Sequence, residues 1–313
     1  MTDFESDPVL TGAIGGTPLV RLERVVPTGS AEVYLKLESG NPTGSYKDRM
    51  ALSVIAGALA RGDVEPGGRV VEYTGGSTGM ALAFVCARLG LRFTAVSSDA
   101  FSPVKLRAME AYGAEVLIEP SDGTITPGLI SGMRDRAYRL AEEPGSHYAD
   151  QFGSPDVRSG YVPMGLEIAE QTRGTVDVFC AGVGTGGALM GTADGLDQAG
   201  VPCPIIALEP AQSPLLTTGV GGPHLVEGIG VGFAPPFLDR SRCPEVRTVD
   251  QHAAMAMARR LAAEEGLLCG TSTGLNVCAA IELAAELGPG RTVVTLGCDS
   301  GTKYLSGPLF DVS

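Results

Sequence analysis

Runs of strand character and runs of helical character alternate along nearly the whole chain, and this alternation constrains the fold more than any other feature. Strand-like runs are Val33–Glu38, Arg69–Tyr73, Arg92–Ser98, Glu115–Glu119, Asp177–Gly182, Pro204–Glu209 and Arg291–Leu296. Helix-like runs are Asp48–Ala60, Met80–Arg88, Pro103–Tyr112, Leu129–Ala141, Ala188–Leu196, His252–Glu265 and Leu275–Leu287. Strand, helix and strand in succession pack as a parallel sheet with helices laid on it, so the fold class is α/β with mainly parallel sheets. The punctuation agrees. Ser102-Pro103 places an N-cap residue before a proline at the first helical position. Asp250 is placed to cap the helix near His252, and Gly113 stops the helix that ends at Tyr112. The Met80–Ala87 run is apolar on every face, which predicts a helix buried on all sides.

A length of 313 residues allows one or two domains and a large core. The formal net charge of −13 disfavours nucleic acid and anionic membrane as partners. Small anions are not excluded, because backbone dipoles can bind them inside an acidic protein. The seven cysteines form no C-x-x-C pair, which fits reduced, cytoplasmic thiols and gives no metal site. Met1–Glu5 shows no charged-then-apolar leader, so no signal peptide is expected. No apolar run reaches membrane-spanning length.

Three segments carry chemistry. Lys47 lies in Asn41-Pro42-Thr43-Gly44-Ser45-Tyr46-Lys47-Asp48-Arg49, after a Gly-Ser turn and at the start of a helical run. A helix N-terminus disfavours another positive charge and so favours the neutral, nucleophilic amine. The plain alternative is a solvated surface lysine. Thr74-Gly75-Gly76-Ser77-Thr78-Gly79 sits between a strand and a helix. Its N–H groups and hydroxyls suit a carboxylate, but Gly75–Gly79 also reads G-x-S-x-G, the nucleophile elbow of an α/β-hydrolase. Such an enzyme would need one of His147, His224 or His252 as its base. Gly182, Gly184 and Gly187 fit G-x-G-x-x-G after a strand, a pattern shared by phosphate and dinucleotide sites. Glu209, at the end of the next strand, keeps a nicotinamide dinucleotide open. A tight strand-to-helix connection explains either glycine cluster without function. Taken together, one lysine and two anion-cradling turns are what pyridoxal 5'-phosphate (PLP) needs.

Further segments, in order, resemble the O-acetylserine sulfhydrylase (cysteine synthase) family of fold-type II PLP-dependent enzymes, with cystathionine β-synthase catalytic domains as near relatives. They are Thr17–Leu22, Lys36–Pro42 with Gly44–Arg49, Asp150-Gln151-Phe152, Gly228–Phe233, Gly270–Gly274, and Ser300-Gly301 with Tyr304–Ser306. The resemblance implies a two-domain, tryptophan synthase β-like fold with helices on both faces of the sheets. Residues 1–18 and 41–152 would form a smaller mobile domain, and 19–40 and 153–313 a larger one that binds the cofactor phosphate. Lys47 would be the catalytic lysine. Gly184, Thr185, Gly186, Gly187 and Ala188 would hold the phosphate. Ser77 would reach the cofactor, and Ser300 would face its ring nitrogen. Thr74, Gly75, Gly76, Ser77, Thr78, Gln151 and Gly228 would line the substrate site. The implied reaction is β-replacement on an O-acetylserine-like donor, through an aminoacrylate, with sulfide or a thiol. The implied assembly is a homodimer.

The chain departs from the family pattern at two loop positions. Where members read T-S-G-N-T-G, this sequence reads T-G-G-S-T-G, so Gly75 removes a hydroxyl and Ser77 replaces an amide. Gly160 stands where members often carry histidine. Two other readings therefore stay open: PLP-dependent β-elimination or replacement with another donor or nucleophile, and a PLP-fold protein kept as a binding partner.

Overall fold

The computed structural model describes residues 7–123 and 125–311; Met1–Glu5, read above for a leader, lies outside them. The chain divides into two compact units. One is built from residues 7–14 and 47–160, the other from residues 15–46 and 161–311.

In the first unit four parallel strands lie in the order Glu115–Glu119, Arg92–Ser98, Arg69–Tyr73, Ser146–Tyr148. Val70, Val71, Ala95 and Val96 are buried on the central strands, as expected of a parallel sheet covered on both faces. The Ser77–Arg88 helix is buried from Thr78 through Cys86, which is what its all-round apolar sequence requires. It begins three residues before Met80, inside the glycine turn. Tyr73 pairs with Val96, and the Thr74 N–H donates to the Val96 carbonyl at 2.9 Å. The Thr74–Thr78 turn therefore leaves the sheet at the carboxyl ends of two neighbouring strands, the edge where parallel sheets bind ligands.

In the second unit six strands run in the order Leu19–Leu22, Glu32–Leu37, Thr292–Gly297, Val178–Gly182, Ile205–Pro210, Glu245–Val249. The Leu19–Leu22 pairing is antiparallel and the rest are parallel. Thr292–Gly297 and Ile205–Pro210 are buried at every position. Val33, Leu35, Leu208, Leu275 and Val293 meet in the core against one face. The Val162–Gln171 helix crosses the Gly187–Gln198 helix at backbone contact distance. A Cβ on Gly165 would lie 2.1 Å from the Thr192 carbonyl, and one on Gly195 would lie 2.1 Å from the Val162 carbonyl. This crossing fixes the helix whose N-terminus carries the Gly182–Gly187 turn.

Several elements lie outside the runs read from the sequence, and four of them have a plain physical reason. Val162–Gln171, given no run above, opens Val-Pro-Met-Gly, where Pro163 sits in the first turn and Gly165 serves the helix crossing. Leu19–Leu22 and Ser146–Tyr148 are too short to show a period. Glu245–Val249 is an edge strand with charged residues among its valines. Asp250 caps its helix, accepting from the N–H groups of His252 at 2.9 Å and Ala253 at 3.0 Å. Ser102 takes the N-cap position, but its side chain makes no capping bond. The His252–Glu265 run is an α-helix over Gln251–Arg260 that widens to a π turn over Leu261–Glu265. Among the described residues no helix is long and apolar enough to cross a membrane.

Candidate active site

The glycine turn of the second unit is built as an anion cradle. Val183 donates to the Leu208 carbonyl at 2.9 Å, and the Thr185 carbonyl accepts from Phe237 at 3.1 Å, so both ends of the loop are pinned. Gly187 N–H turns back onto Thr185 Oγ1 at 3.2 Å. The N–H groups of Gly184, Thr185, Gly186 and Ala188 find no acceptor among the described residues. Gly184, Thr185 and Gly186 are buried. Buried donors without an acceptor are costly, and these four stand at a helix N-terminus whose dipole favours negative charge. Gly186 has φ +88°, and a Cβ there would lie 2.7 Å from Leu238 N. Gly184 faces the Gly228 carbonyl, which a Cβ would approach to 2.6 Å. Donors so grouped fit an anion of phosphate size, such as the phosphate of PLP.

Lys47 begins the Lys47–Arg61 helix. Its approach is fixed within the second unit: Ser300 N–H donates to Gly44 O at 2.9 Å and Tyr46 N–H to Cys298 O at 3.1 Å. The upstream Lys36, fully buried, is a structural lysine that pairs with Glu167 at 2.6 Å and donates to Thr17 O at 2.7 Å.

Ser300 is also placed by this lattice, but its hydroxyl caps the Gly301–Tyr304 turn. It accepts from Thr302 N at 3.3 Å and pairs with Thr302 Oγ1 at 2.8 Å. Across the Cys269–Ser300 bridge stands the start of the Thr271–Leu287 helix. There Thr271 Oγ1 accepts from Glu227 N at 3.2 Å and Thr273 Oγ1 from Cys298 N at 3.0 Å. Ser272 lies between them, buried, and its hydroxyl bonds to no described protein group. Asn276, also buried, accepts from Gly182 N at 2.7 Å and donates to Leu296 O at 2.8 Å, which ties the ends of two strands to this helix.

In the first unit the structure brings together Thr74, Gly75, Gly76, Ser77, Thr78 and Gln151. Thr74 Oγ1 accepts from Gly79 N at 3.2 Å. Thr78 Oγ1 donates to Gln151 Oε1 at 2.9 Å. The N–H groups of Gly75 and Thr78 find no acceptor among the described residues. Beneath Gln151 lies Glu72, fully buried, which the sequence reading missed. Its carboxyl accepts from Gln151 N at 3.0 Å, Tyr148 Oη at 3.1 Å and Tyr73 N at 3.1 Å. Burial pushes this carboxyl up to about 8, against the downward pull of the Gln151 and Tyr148 bonds. Asp150 beside it has φ 54°, a strained conformation for a non-glycine residue. One signal was visible in the sequence, a lone charge inside Val70-Val71-Glu72-Tyr73 just before the turn.

The rival readings lose their residues. A nucleophile elbow strains its serine, whereas Ser77 is the first residue of a regular helix. Glu209 is not free for a ribose. Its carboxylate accepts from Leu216 N at 2.7 Å, Thr217 N at 3.0 Å and Thr217 Oγ1 at 2.7 Å.

Comparison with known proteins places the chain in a family. A family model described as pyridoxal-phosphate dependent enzyme matches residues 10–299. The chain is 41% identical over 305 residues to a cysteine synthase of Staphylococcus aureus, covering 96% of each. It is 39% identical over 302 residues to a probable cysteine synthase of Bacillus subtilis, covering 95% of this chain and 96% of the other. Its fold superposes on O-ureido-L-serine synthase with a TM-score of 0.89 at 38% identity, covering 97% and 95% of the two chains. A cysteine synthase of Entamoeba histolytica gives 0.90 at 32% identity, covering 97% and 90%. By the family model and these relatives, the chain belongs to the family of pyridoxal-phosphate-dependent enzymes, on the fold-type II architecture of the cysteine synthases.

Proposed function

We infer that the chain is a cysteine synthase-like transferase, which exchanges the β-substituent of an O-acetylserine-like donor for a sulfur nucleophile. The observation that carries this reading is a chain whose relatives are named cysteine synthase and which holds, in one unit, a Gly184–Ala188 turn with buried N–H donors that find no described acceptor and, in the other, a Thr74–Thr78 turn whose Gly75 and Thr78 N–H groups find none either. When bound, PLP supplies the electron sink that lets such a donor lose its Cα proton and its β leaving group. The chain does the rest. Gly184, Thr185, Gly186 and Ala188 hold the phosphate through backbone N–H groups. Lys47 tethers the cofactor by its amine and, once released, moves the proton at Cα. Gly75 and Thr78 offer N–H groups to the donor's carboxylate, with Thr78 and Gln151 bonded as one unit beside them.

The hydroxyl that faces the ring nitrogen is read as Ser272 in place of Ser300, because Ser300 is occupied as a cap and Ser272 is buried and uncommitted. A neutral partner there leaves the ring less electron-withdrawing than a carboxylate would, which suits β-chemistry over transamination. The chain is further read as a cytoplasmic homodimer, on the resemblance and on seven cysteines with no C-x-x-C pair among them.

The test is visible absorption of the purified protein with PLP, before and after O-acetylserine is added without sulfide. A cofactor band that moves to the red, with cysteine formed once sulfide follows, is the expected result; Lys47→Ala should abolish turnover. A cofactor band that ignores O-acetylserine moves the donor to another serine derivative. Pyruvate released without sulfide, with no cysteine formed on adding it, overturns replacement in favour of elimination.

A further inference from the structure

Gly75 is a glycine for want of space, not for backbone torsion, since it does not adopt a left-handed φ. A Cβ built on it would lie 2.1 Å from Cδ1, 2.2 Å from Cγ and 2.4 Å from Cδ2 of Phe101. The aromatic ring therefore fills the volume that a side chain at the second position of the carboxylate turn would need. The clash is with the root of the ring, so it cannot be relieved by moving a flexible tip. Phe101 is itself held. Its N–H donates to Ser98 O at 3.2 Å. Its side chain packs against the apolar cluster of Val71, Val96, Met133 and Ala137, partly buried. The strand pairing explains the meeting. Thr74 hydrogen-bonds to Val96, so the turn after one strand and the turn after its neighbour emerge side by side.

We propose that Phe101 is a positioning residue for the donor's carboxylate, acting with Gly75 as a matched pair that walls the Thr74–Thr78 turn with an apolar ring. This rests on the reading of that turn as the carboxylate dock. The physical effect follows from the chemistry of the site. Family members would place a serine hydroxyl where this chain has no side chain. Here the N–H groups of Gly75 and Thr78 do the binding, and a ring beside them excludes water and strengthens each charge-assisted bond. The pair also makes a prediction that simple loss of a contact does not. Adding the serine hydroxyl back should harm the site while the ring is present and help once it is gone.

The experiment is a double-mutant cycle with Gly75→Ser, Phe101→Ala and the double variant, each purified with PLP. Two readouts are taken: the dissociation constant for L-serine from the change in cofactor absorption, and the separate kcat and KM for O-acetylserine. Phe101→Ala should weaken L-serine binding and raise KM by about three- to tenfold with little change in kcat. Gly75→Ser should weaken binding more than tenfold. The double variant should bind L-serine more tightly than Gly75→Ser alone. Gly75→Ser binding like the parent overturns the proposal, and so does a double variant no better than Gly75→Ser. If Gly75→Ser does not fold, Phe101→Ala decides alone: an unchanged dissociation constant and KM overturn the proposal. Because L-serine binding needs no turnover, a parent that binds L-serine but ignores O-acetylserine refutes the donor assignment and leaves the wall intact.

Discussion

Replacing Glu72 with glutamine should flatten the dependence of stability on pH. The carboxyl is fully buried, and burial raises it from an ordinary 4.5 to about 8. Each tenfold change in proton affinity corresponds to about 1.4 kcal/mol, so ionising Glu72 costs the folded state up to roughly 5 kcal/mol. The sign follows from proton counts. Between 4.5 and about 8 the folded chain holds a proton on Glu72 that the unfolded chain has released. Stability therefore falls as pH rises through that window, by up to about 1.4 kcal/mol per pH step, and levels off above it. Glutamine cannot titrate, and its carbonyl can still accept from Tyr148 or Gln151. Denaturant unfolding followed by circular dichroism at pH 6, 7 and 8 should show the parent losing about 2 kcal/mol more than Glu72→Gln across the range. Exchange of the Ala149 amide, which donates to Val71 O at 3.0 Å, reports the same change within the first unit. His147 on that sheet has its imidazole lowered by burial, which makes stability rise with pH in the acid range. That contribution is common to both proteins and cancels in the difference. Parallel curves for parent and variant would refute the argument, because they would mean that Glu72 is ionised in the folded state at no cost.

Gly165→Ala drives a methyl to 2.1 Å from the Thr192 carbonyl and should destabilise the second unit by about 1–3 kcal/mol; an unchanged melting temperature would show that the helices separate freely. Gly186→Ala combines φ +88° with the approach to Leu238 N, and should weaken PLP binding more than tenfold by equilibrium dialysis while the circular dichroism spectrum is retained. Ser300→Ala should cost about 1 kcal/mol of stability through the lost cap and leave the cofactor band in place. Ser272→Ala should shift that band and slow turnover; the reverse pattern would return the ring-nitrogen role to Ser300.

What the sequence made legible was local. Gly182–Gly187 could be read because a strand, a turn and a helix start lie within a few residues, and the donors are the backbone of the turn itself. The order of strands and helices was legible for the same reason, since alternation is a property of neighbours. Illegible were the residues whose meaning lies across the chain. Asn276 looks like a stray polar residue in an apolar helix until it reaches Gly182, 94 positions away. Glu72 looks like a misplaced charge until Tyr148 and Gln151 return to it. Resemblance singles out Ser300 and not Ser272, because a string does not show that the fold commits the Ser300 hydroxyl to Thr302 and leaves the Ser272 hydroxyl without a described partner.

The departure at Gly75 shows why such cases need the fold. As a string, T-G-G-S-T-G reads as a weakened carboxylate site that has lost a hydroxyl. In the folded chain the vacated space belongs to Phe101, a residue of a different turn that the parallel pairing of two strands sets alongside. The bare glycine and the ring are then one feature in two places, because the ring leaves no room for a Cβ at Gly75. A net charge of −13 does not weigh against the two proposed anion sites, because their donors are peptide N–H groups aimed by sheet and helix, which no change of surface charge removes. At Gly75, Gly184 and Gly186 a glycine therefore carries meaning in the way a side chain does elsewhere: each marks a place where another group, the Phe101 ring, the Gly228 carbonyl or the Leu238 backbone, occupies the space its own side chain would have filled.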